Sequence, residues 1–177
     1  MPSAAPSSRP AATPFGVCFV CTGNICRSPM AESVFRALVR DAGLEGLVLV
    51  DSAGTDGWHE GDAADPRTVA VLASAGFDTT HVARQFREDW FARLDLVVAL
   101  DRGHERALRR LARTPQDADK VRLLRSFDPS AEAAGDLDVP DPYYGDFVGF
   151  EECLKMVEAA CEGLLDVVRE AVEGRPA

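Results

Sequence analysis

Short apolar runs alternate with longer amphipathic segments along the chain. Runs of mostly apolar residues bounded by turn residues are typical of buried parallel strands, and they predict strands at residues 15–21, 47–50, 95–100 and 121–124. Between these runs, apolar residues recur at helical spacing, and proline, aspartate or glycine marks the ends. This second pattern predicts helices at residues 29–43, 66–76, 102–111 and 150–172, with loops at 54–65 and 125–149.

The alternation of strands and helices predicts the fold class. Parallel strands need long crossover connections, which are usually helices. We therefore expect one α/β domain over residues 15–172. Its core would be a four-stranded parallel sheet with helices on both faces, a three-layer sandwich of the flavodoxin-like type. Residues 1–14 are rich in proline, serine and alanine and predict a disordered tail, and residues 173–177 predict a flexible C-terminus.

Composition limits the possible functions and indicates the cellular location and the source. Of 177 residues, 46% are hydrophobic, and the formal net charge is −10. An acidic chain is a poor candidate for broad nucleic-acid binding, and no apolar run is long enough to span a membrane. We expect neither nucleic acid nor membrane as a partner. The number of cysteines is odd, at five, and no apolar signal segment follows Met1. Both features favour a cytoplasmic location. The chain has two lysines and many arginines, which suggests a bacterial protein.

The first strand-to-helix turn, from Cys21 to Pro29, carries the candidate chemistry. It lies at the carboxyl end of a predicted strand, where open α/β sheets bind ligands. Backbone amides of the turn can bind an anion, and the Arg27 guanidinium matches phosphate oxygens. The same positive field favours the nucleophilic thiolate of Cys21, which predicts attack on phosphorus. On these local features alone, a structural turn with a buried cysteine remains an alternative.

Four ordered motifs carry a resemblance to a known family. Residues 20–32, VCTGNICRSPMAE, resemble the phosphate-binding loop of low-molecular-weight protein tyrosine phosphatases. The segments DSAGT at 51–55, DPR with HVARQ at 65–67 and 81–85, and DPYYG at 141–145 resemble the family's other motifs, the last being its general-acid loop. The resemblance covers residues 15–170. It implies a cysteine-dependent phosphoric monoester hydrolase that acts on phosphotyrosine-containing proteins.

The resemblance also implies a role for each matching residue. Cys21 would be the nucleophile, Arg27 would bind the phosphate in the transition state, and Asp141 would be the general acid and then the base. The residues implied for the rest of the phosphate-binding loop are Thr22, Gly23, Asn24, Ile25, Cys26 and Ser28. Within that loop, Ser28 would donate a hydrogen bond to the thiolate, and Asn24, supported by Ser52, would hold the strained backbone. The implied walls of the substrate cleft are Thr22, Ile25, Trp58, Tyr143 and Tyr144.

The chemistry of such a reaction agrees with these roles. Phosphotyrosine leaves as a poor phenoxide, so an acid such as Asp141 is needed to protonate it. The resulting carboxylate can then activate water against a phosphocysteine on Cys21. Because amides and Arg27 stabilise the charge, no metal or other cofactor is expected, and the three histidines are too scattered to predict a metal site. Phosphate would be the product and a competitive ligand.

Cys26 lies in the same tight turn as Cys21, five residues along the chain. If Cys21 is oxidised to a sulfenic acid, Cys26 could trap it as a disulfide, so we expect the protein to be redox-sensitive. The alternative is that Cys26 only packs beneath the turn.

Three other functions compete with the phosphotyrosine hypothesis. Arsenate reductases of the same fold resemble this chain in the first turn but need further redox cysteines, and residues 82–89 contain none. Protein-arginine phosphatases of the same family carry threonine where Ile25 stands and lack the paired tyrosines. A catalytically silent phosphate-binding module would not need Cys21, Arg27 and Asp141 together.

Overall fold

The structure, a computed structural model, describes residues 13–174. Most of the predicted N-terminal tail, residues 1–12, and most of the predicted flexible C-terminus, residues 175–177, therefore lie outside the described residues. The sheet consists of the parallel strands β1 (Phe15–Cys21), β2 (Val48–Gly54), β3 (Leu96–Ala99) and β4 (Val121–Leu123), in the order β2-β1-β3-β4. The predicted four-stranded parallel sheet is confirmed.

Within the described residues, six α-helices connect and cover the strands. They are α1 (Arg27–Asp41), α2 (Pro66–Ser74), α3 (Arg102–Leu111), α4 (Pro115–Asp119), α5 (Pro129–Ala134) and α6 (Phe147–Glu173). Two 3₁₀ helices span Glu88–Arg93 and Leu124–Phe127. One hydrophobic cluster joins the sheet to α1, α2 and α6, and a second joins its other face to α3 and the first 3₁₀ helix. The expected three layers follow from these two cores.

The central strand β1 is buried along its whole length because both of its faces are covered. This explains why its sequence is a continuous apolar run rather than an alternating one. The predicted apolar stripe of α6 is also confirmed for Cys153, Val157 and Cys161, which face the core. The two cysteines of α6 are therefore core residues.

Several predicted boundaries were wrong. Helix α1 begins two residues earlier than expected, at Arg27, and β2 continues to Gly54, so that Ser52 lies in the strand and not after it. The predicted loop at 125–149 contains most of the second 3₁₀ helix and α5, and α6 begins within it, at Phe147. Helix α5 has an ordinary start signal, since the Asp128 side chain accepts a hydrogen bond from Ser130 N–H and proline follows at the first helical position.

Candidate active site

The turn after β1 is held in a left-handed kink at Asn24, whose φ is 57°. Asparagine tolerates this conformation better than most residues, and here its side chain is fully engaged. Asn24 Nδ2 donates to Ser28 Oγ at 2.7 Å and to Ser52 Oγ at 2.9 Å, while Oδ1 accepts from Arg84 N at 3.0 Å. The backbone carbonyl of Asn24 accepts from His81 Nε2 at 2.7 Å, so His81 is a structural hydrogen-bond donor.

A buried carboxylate supports this arrangement from behind. Glu32, on α1, accepts a short hydrogen bond from Ser52 Oγ and pairs with Arg36 Nη2 at 2.8 Å. Burial lowers the pKa of the adjacent His81, which lies 3.9 Å from Glu32. The position of Glu32 in the site could not be predicted from the sequence, because nothing in a helical pattern shows which acidic residue will face β2.

Cys21 ends β1 and is buried beneath the turn. Its Sγ lies 3.0 Å from Ser28 Oγ and accepts from Ser28 N–H at 3.4 Å. The Ser28 hydroxyl already accepts from Asn24, and it lies 3.3 Å from the carbonyl oxygen of Ala53. Its single proton can therefore go either to that carbonyl or to the sulfur. A thiolate at Cys21 would take this proton as a hydrogen bond.

The guanidinium of Arg27 is buried and anchored through one nitrogen. Nη1 donates to Asp101 Oδ2 at 2.8 Å and to the Val139 carbonyl at 2.8 Å. Nη2 lies 3.8 Å from Asp141 Oδ2. Burial alone would lower the pKa of Arg27, but Cys21 and the two aspartates outweigh it and raise the pKa, so the group is a permanent cation. Nη2 also lies 3.5 Å from His104 Nε2, and Arg27 lines the cavity beside Cys21.

His104 is a site residue that the sequence analysis missed. Asp101 caps α3 in a reciprocal pair: its Oδ1 accepts from His104 N at 3.0 Å, and its own N–H donates to His104 Nδ1 at 3.2 Å. Burial and the nearby charge of Arg27 lower the pKa of His104 to about 4, so the ring is neutral at pH 7. Since Nδ1 accepts, the ring proton is assigned to Nε2, which donates to Thr22 Oγ1 at 2.8 Å. The available signal in the sequence was the position of His104, three residues after the cap residue Asp101.

A cavity of about 330 Å³ opens above the turn. Its lining residues are Cys21, Thr22, Gly23, Ile25, Cys26, Arg27, Asp56, Trp58, His59, Asp141, Tyr143 and Tyr144. All the predicted catalytic and cleft residues are among them, whereas Asn24, Ser28 and Ser52 lie behind the turn and support it. Asp56 and His59 were not predicted. A Cβ at Gly23 would lie 2.9 Å from the His59 ring, so a side chain at this position would displace that ring.

The rim of the cavity is aromatic and open. Trp58 is 86% exposed and Tyr144 is 89% exposed, while the rings of Tyr143 and Tyr144 meet edge to face with centroids 5.0 Å apart. Asp141 lies on the same side, with its side chain 45% exposed. Its Oδ1 accepts from Tyr143 N at 3.1 Å, which leaves Oδ2 available to a ligand.

Cys26 lies under the rim as a buried thiol. Burial, and then the charge of Asp65, raise its pKa to about 12. At neutral pH it is therefore protonated. Within residues 13–174, no three His, Cys, Asp or Glu side chains are grouped so that they could hold a metal ion. In the same residues, no helix is both long enough and apolar enough to cross a membrane.

Comparison with known proteins gives consistent matches over the domain. Residues 16–174 match the model of the family described as low molecular weight phosphotyrosine protein phosphatase. A low molecular weight protein-tyrosine-phosphatase from Streptomyces coelicolor is 73% identical over 163 residues, which is 92% of this chain and 99% of that protein. A protein tyrosine phosphatase structure from Entamoeba histolytica, with Hepes in the active site, superposes with a TM-score of 0.83. It has 33% identity and covers 89% of this chain and 98% of its own.

A second kind of phosphatase shares the fold. A variant of the arginine phosphatase YwlE with a phosphorylated active-site serine superposes with a TM-score of 0.77 and 28% identity, over 88% of this chain and 97% of its own. The architecture is therefore compatible with more than one phosphorylated side chain. The residues that line the cleft must decide between them.

Proposed function

The chain belongs to the low molecular weight phosphotyrosine protein phosphatase family, and we propose that it hydrolyses phosphotyrosine in proteins through a phosphocysteine on Cys21. As a member of that family it is a cysteine-dependent protein-tyrosine-phosphatase. The observation that carries the mechanism is the convergence of Cys21, Arg27 and Asp141 on one cavity.

In the first step, the Cys21 thiolate attacks phosphorus in line with the ester oxygen. The S–P bond forms as the P–O bond to the tyrosyl oxygen breaks. Asp141 Oδ2 delivers its proton to that oxygen, so that tyrosine leaves as a neutral phenol. Arg27 and the amides of the turn hold the three equatorial oxygens, where charge accumulates in the transition state.

In the second step, the Asp141 carboxylate takes a proton from water, and the water oxygen attacks phosphorus. The S–P bond breaks and the electron pair returns to Cys21 as a thiolate. Ser28 is placed to stabilise that leaving thiolate, because its hydroxyl proton can turn from the Ala53 carbonyl to the sulfur. Phosphate is the product, and it would compete with substrate for the same donors.

The cleft walls support an aromatic substrate. Trp58, Tyr143 and Tyr144 can flank a flat ring, and each good aromatic contact is worth about 0.5–1.5 kcal/mol beyond area burial. The same walls would keep a short seryl phosphate away from the buried Cys21 sulfur. These features support phosphotyrosine over the other phosphorylated residues.

Arginine phosphatase activity is the second candidate, because of the structural likeness to YwlE. In this cavity Ile25 presents an apolar side chain where a hydroxyl could assist a phosphoguanidinium. The paired tyrosines supply aromatic surface against which the ring of phosphotyrosine can pack. Both features favour phosphotyrosine over phosphoarginine.

The test is kcat/KM for phosphotyrosine, phosphoserine, phosphothreonine and phosphoarginine in otherwise identical peptides. We expect phosphotyrosine to be preferred and Cys21→Ser to be inactive while it still binds phosphate, because the field that supports a thiolate cannot ionise an alcohol. A preference for phosphoarginine or phosphoserine would overturn the reading of the cleft. Turnover by Cys21→Ser within about tenfold of wild type would remove Cys21 from the mechanism.

A further inference from the structure

We propose that Arg67 is a positioning residue for the general acid, holding the loop that carries Asp141 against the phosphate-binding turn. This inference rests on the proposed function, since it assigns to Arg67 an effect on proton delivery by Asp141. Arg67 itself is not among the residues that line the cavity.

Arg67 is first fixed in place by Asp65. Nε donates to Asp65 Oδ1 at 3.0 Å, and Nη2 donates to Oδ2 at 3.0 Å, which is a two-point contact between planar groups. Asp65 Oδ1 also accepts from Arg67 N at 2.8 Å and so caps α2. The guanidinium is therefore held in one orientation by a nearly buried carboxylate.

The base of this assembly is joined to the phosphate-binding turn. Asp65 N donates to the Ile25 carbonyl at 2.8 Å, and Thr68 Oγ1 donates to the Cys26 carbonyl at 3.4 Å. Asp65 and Thr68 are both buried. Arg67 thus projects from a helix end that is fixed relative to the turn that binds phosphate.

The free side of the guanidinium meets the loop after Asp141. Its carbon lies 4.4 Å from the ring centroid of Phe150 and 5.5 Å from that of Tyr143, both within the range of a cation–π contact. Nη1 also donates to the Gly145 carbonyl at 3.4 Å. Phe150 is fully buried in α6, so it forms a rigid wall, while Tyr143 and Gly145 belong to the loop that Arg67 can restrain.

The loop in turn sets the orientation of the acid. Asp141 Oδ1 accepts from Tyr143 N, so the carboxyl group rotates with the backbone that Arg67 restrains. The other oxygen, Oδ2, is the one that lies 3.8 Å from Arg27 Nη2 and borders the cavity. A displaced Tyr143 would carry Oδ2 away from the leaving oxygen without changing the phosphate-binding turn.

The experiment is a double-mutant cycle with Arg67→Gln, Asp141→Ala and the double variant. The rates are measured on a phosphotyrosine peptide and on p-nitrophenyl phosphate, whose leaving group is more acidic. We expect Arg67→Gln to lower kcat on the peptide about tenfold with KM changed less than about threefold. The loss on p-nitrophenyl phosphate should be clearly smaller, because that leaving group needs less protonation.

The decisive comparison is in the Asp141→Ala background. If Arg67 acts through Asp141, adding Arg67→Gln should slow that variant less than about twofold, because there is no proton left to position. A loss there as large as in the wild type would overturn the proposal. So would equal losses on both substrates, which would indicate general damage to the site.

Two further variants serve as a control and as an independent test. Arg109→Gln is the matched control, because Arg109 also donates to a backbone carbonyl, that of Val121, and pairs with a carboxylate, but lies on α3 outside the cavity. It should leave both rates unchanged. Tyr143→Leu removes the ring and keeps the pair of Arg67 with Asp65. It should reproduce the leaving-group-dependent loss in kcat even if Arg67→Gln folds poorly, and a full rate on the peptide would contradict the proposal.

The cycle also separates this inference from the mechanism on which it rests. If Asp141→Ala itself shows no greater loss on the peptide than on p-nitrophenyl phosphate, Asp141 is not the acid and both proposals fail. If Asp141→Ala behaves as expected but the Arg67 effect is additive with it, only the role of Arg67 fails.

Discussion

His104 illustrates how the environment of one side chain sets its charge. The neutral ring accepts from the backbone of Asp101 and donates to Thr22, and both contacts depend on the proton being on Nε2 alone. Because burial and Arg27 lower the pKa of His104 to about 4, the unfolded chain binds a proton at this residue before the folded protein does. The stability that the neutral His104 ring contributes to the folded protein is therefore fully present above pH 6.5. It is lost as the pH falls from 6.5 toward 4.

The substitution His104→Gln removes this titration while keeping an acceptor and a donor on the side chain. The difference between the ordinary histidine pKa of 6.5 and the pKa of about 4 in the folded protein corresponds to at most about 3 kcal/mol of the free energy of unfolding. Urea unfolding at pH 7 and pH 4 should show the wild type losing up to that much more free energy of unfolding than His104→Gln. If the two proteins lost the same free energy of unfolding between pH 7 and pH 4, His104 would be protonated as readily in the folded state as in the unfolded one.

Cys26 is expected to protect the nucleophile from oxidation. Peroxide converts the Cys21 thiolate to a sulfenic acid as the O–O bond breaks, and the Cys26 sulfur can then form the S–S bond with loss of water. Since burial and Asp65 raise the pKa of Cys26 to about 12, the trapping thiolate is scarce at neutral pH and trapping should accelerate as the pH rises.

The measurement is the activity recovered by thiol after brief peroxide treatment. Cys26→Ala should recover less than wild type, and the difference should widen at higher pH. Cys153→Ala is a suitable control, because Cys153 is a buried thiol on α6 and does not line the cavity. Equal recovery by Cys26→Ala and wild type would leave Cys26 with packing as its only role.

At the scale of elements, the contact of α6 with the 3₁₀ helix Leu124–Phe127 is unusually close. A Cβ at Gly163 would lie 1.9 Å from the Phe127 carbonyl oxygen, so any side chain there would push α6 away. Gly149, near the start of the same helix, would place a Cβ at an ordinary 3.7 Å from the Pro142 ring. The two glycines thus differ in environment and not in secondary structure.

Alanine substitution should therefore have opposite effects at the two positions. Gly149→Ala should raise the free energy of unfolding by about 0.5–1 kcal/mol, the usual gain in helix propensity. Gly163→Ala should lower it by about 1–3 kcal/mol because the overpacked backbone must shift. Thermal or urea unfolding of the two variants tests this. A change in the free energy of unfolding of the same sign in both variants would contradict it.

The elements that the sequence predicts are those that bury many residues. The strands and the stripe of α6 follow from apolar periodicity, but α4 buries no residue and has only a cap at Thr114 and a proline as signals. The same limit applies to the site. The contiguous turn from Cys21 to Ser28 was predictable, whereas His104 and Glu32 contribute through contacts between distant elements that no local pattern encodes.

The whole molecule carries a formal charge of −10, while its substrate is also an anion. Asp56 and Asp141 border the cavity, and the compensating Arg27 is buried at its base. Long-range repulsion should therefore oppose the approach of acidic phosphopeptides, and close-range donors should bind them once they arrive.

Ionic strength tests this balance. Raising salt from 0.01 M to 0.15 M shortens the screening length from about 30 Å to about 8 Å. We expect kcat/KM for a phosphotyrosine peptide with acidic flanks to rise a few-fold over this range, and that for a lysine-flanked peptide to fall. Salt effects of the same sign for both peptides would indicate that the net charge does not steer association.

The exposed position of Trp58 gives the protein an optical reporter. The chain has two tryptophans, and the other, Trp90, is half-buried against Phe86 on the far side of the sheet from α1 and α6. A ring that enters the cavity must displace water from the indole of Trp58 and leave that of Trp90 untouched. The change in tryptophan emission on binding therefore comes from Trp58, and it follows occupancy of the cleft in real time without a label.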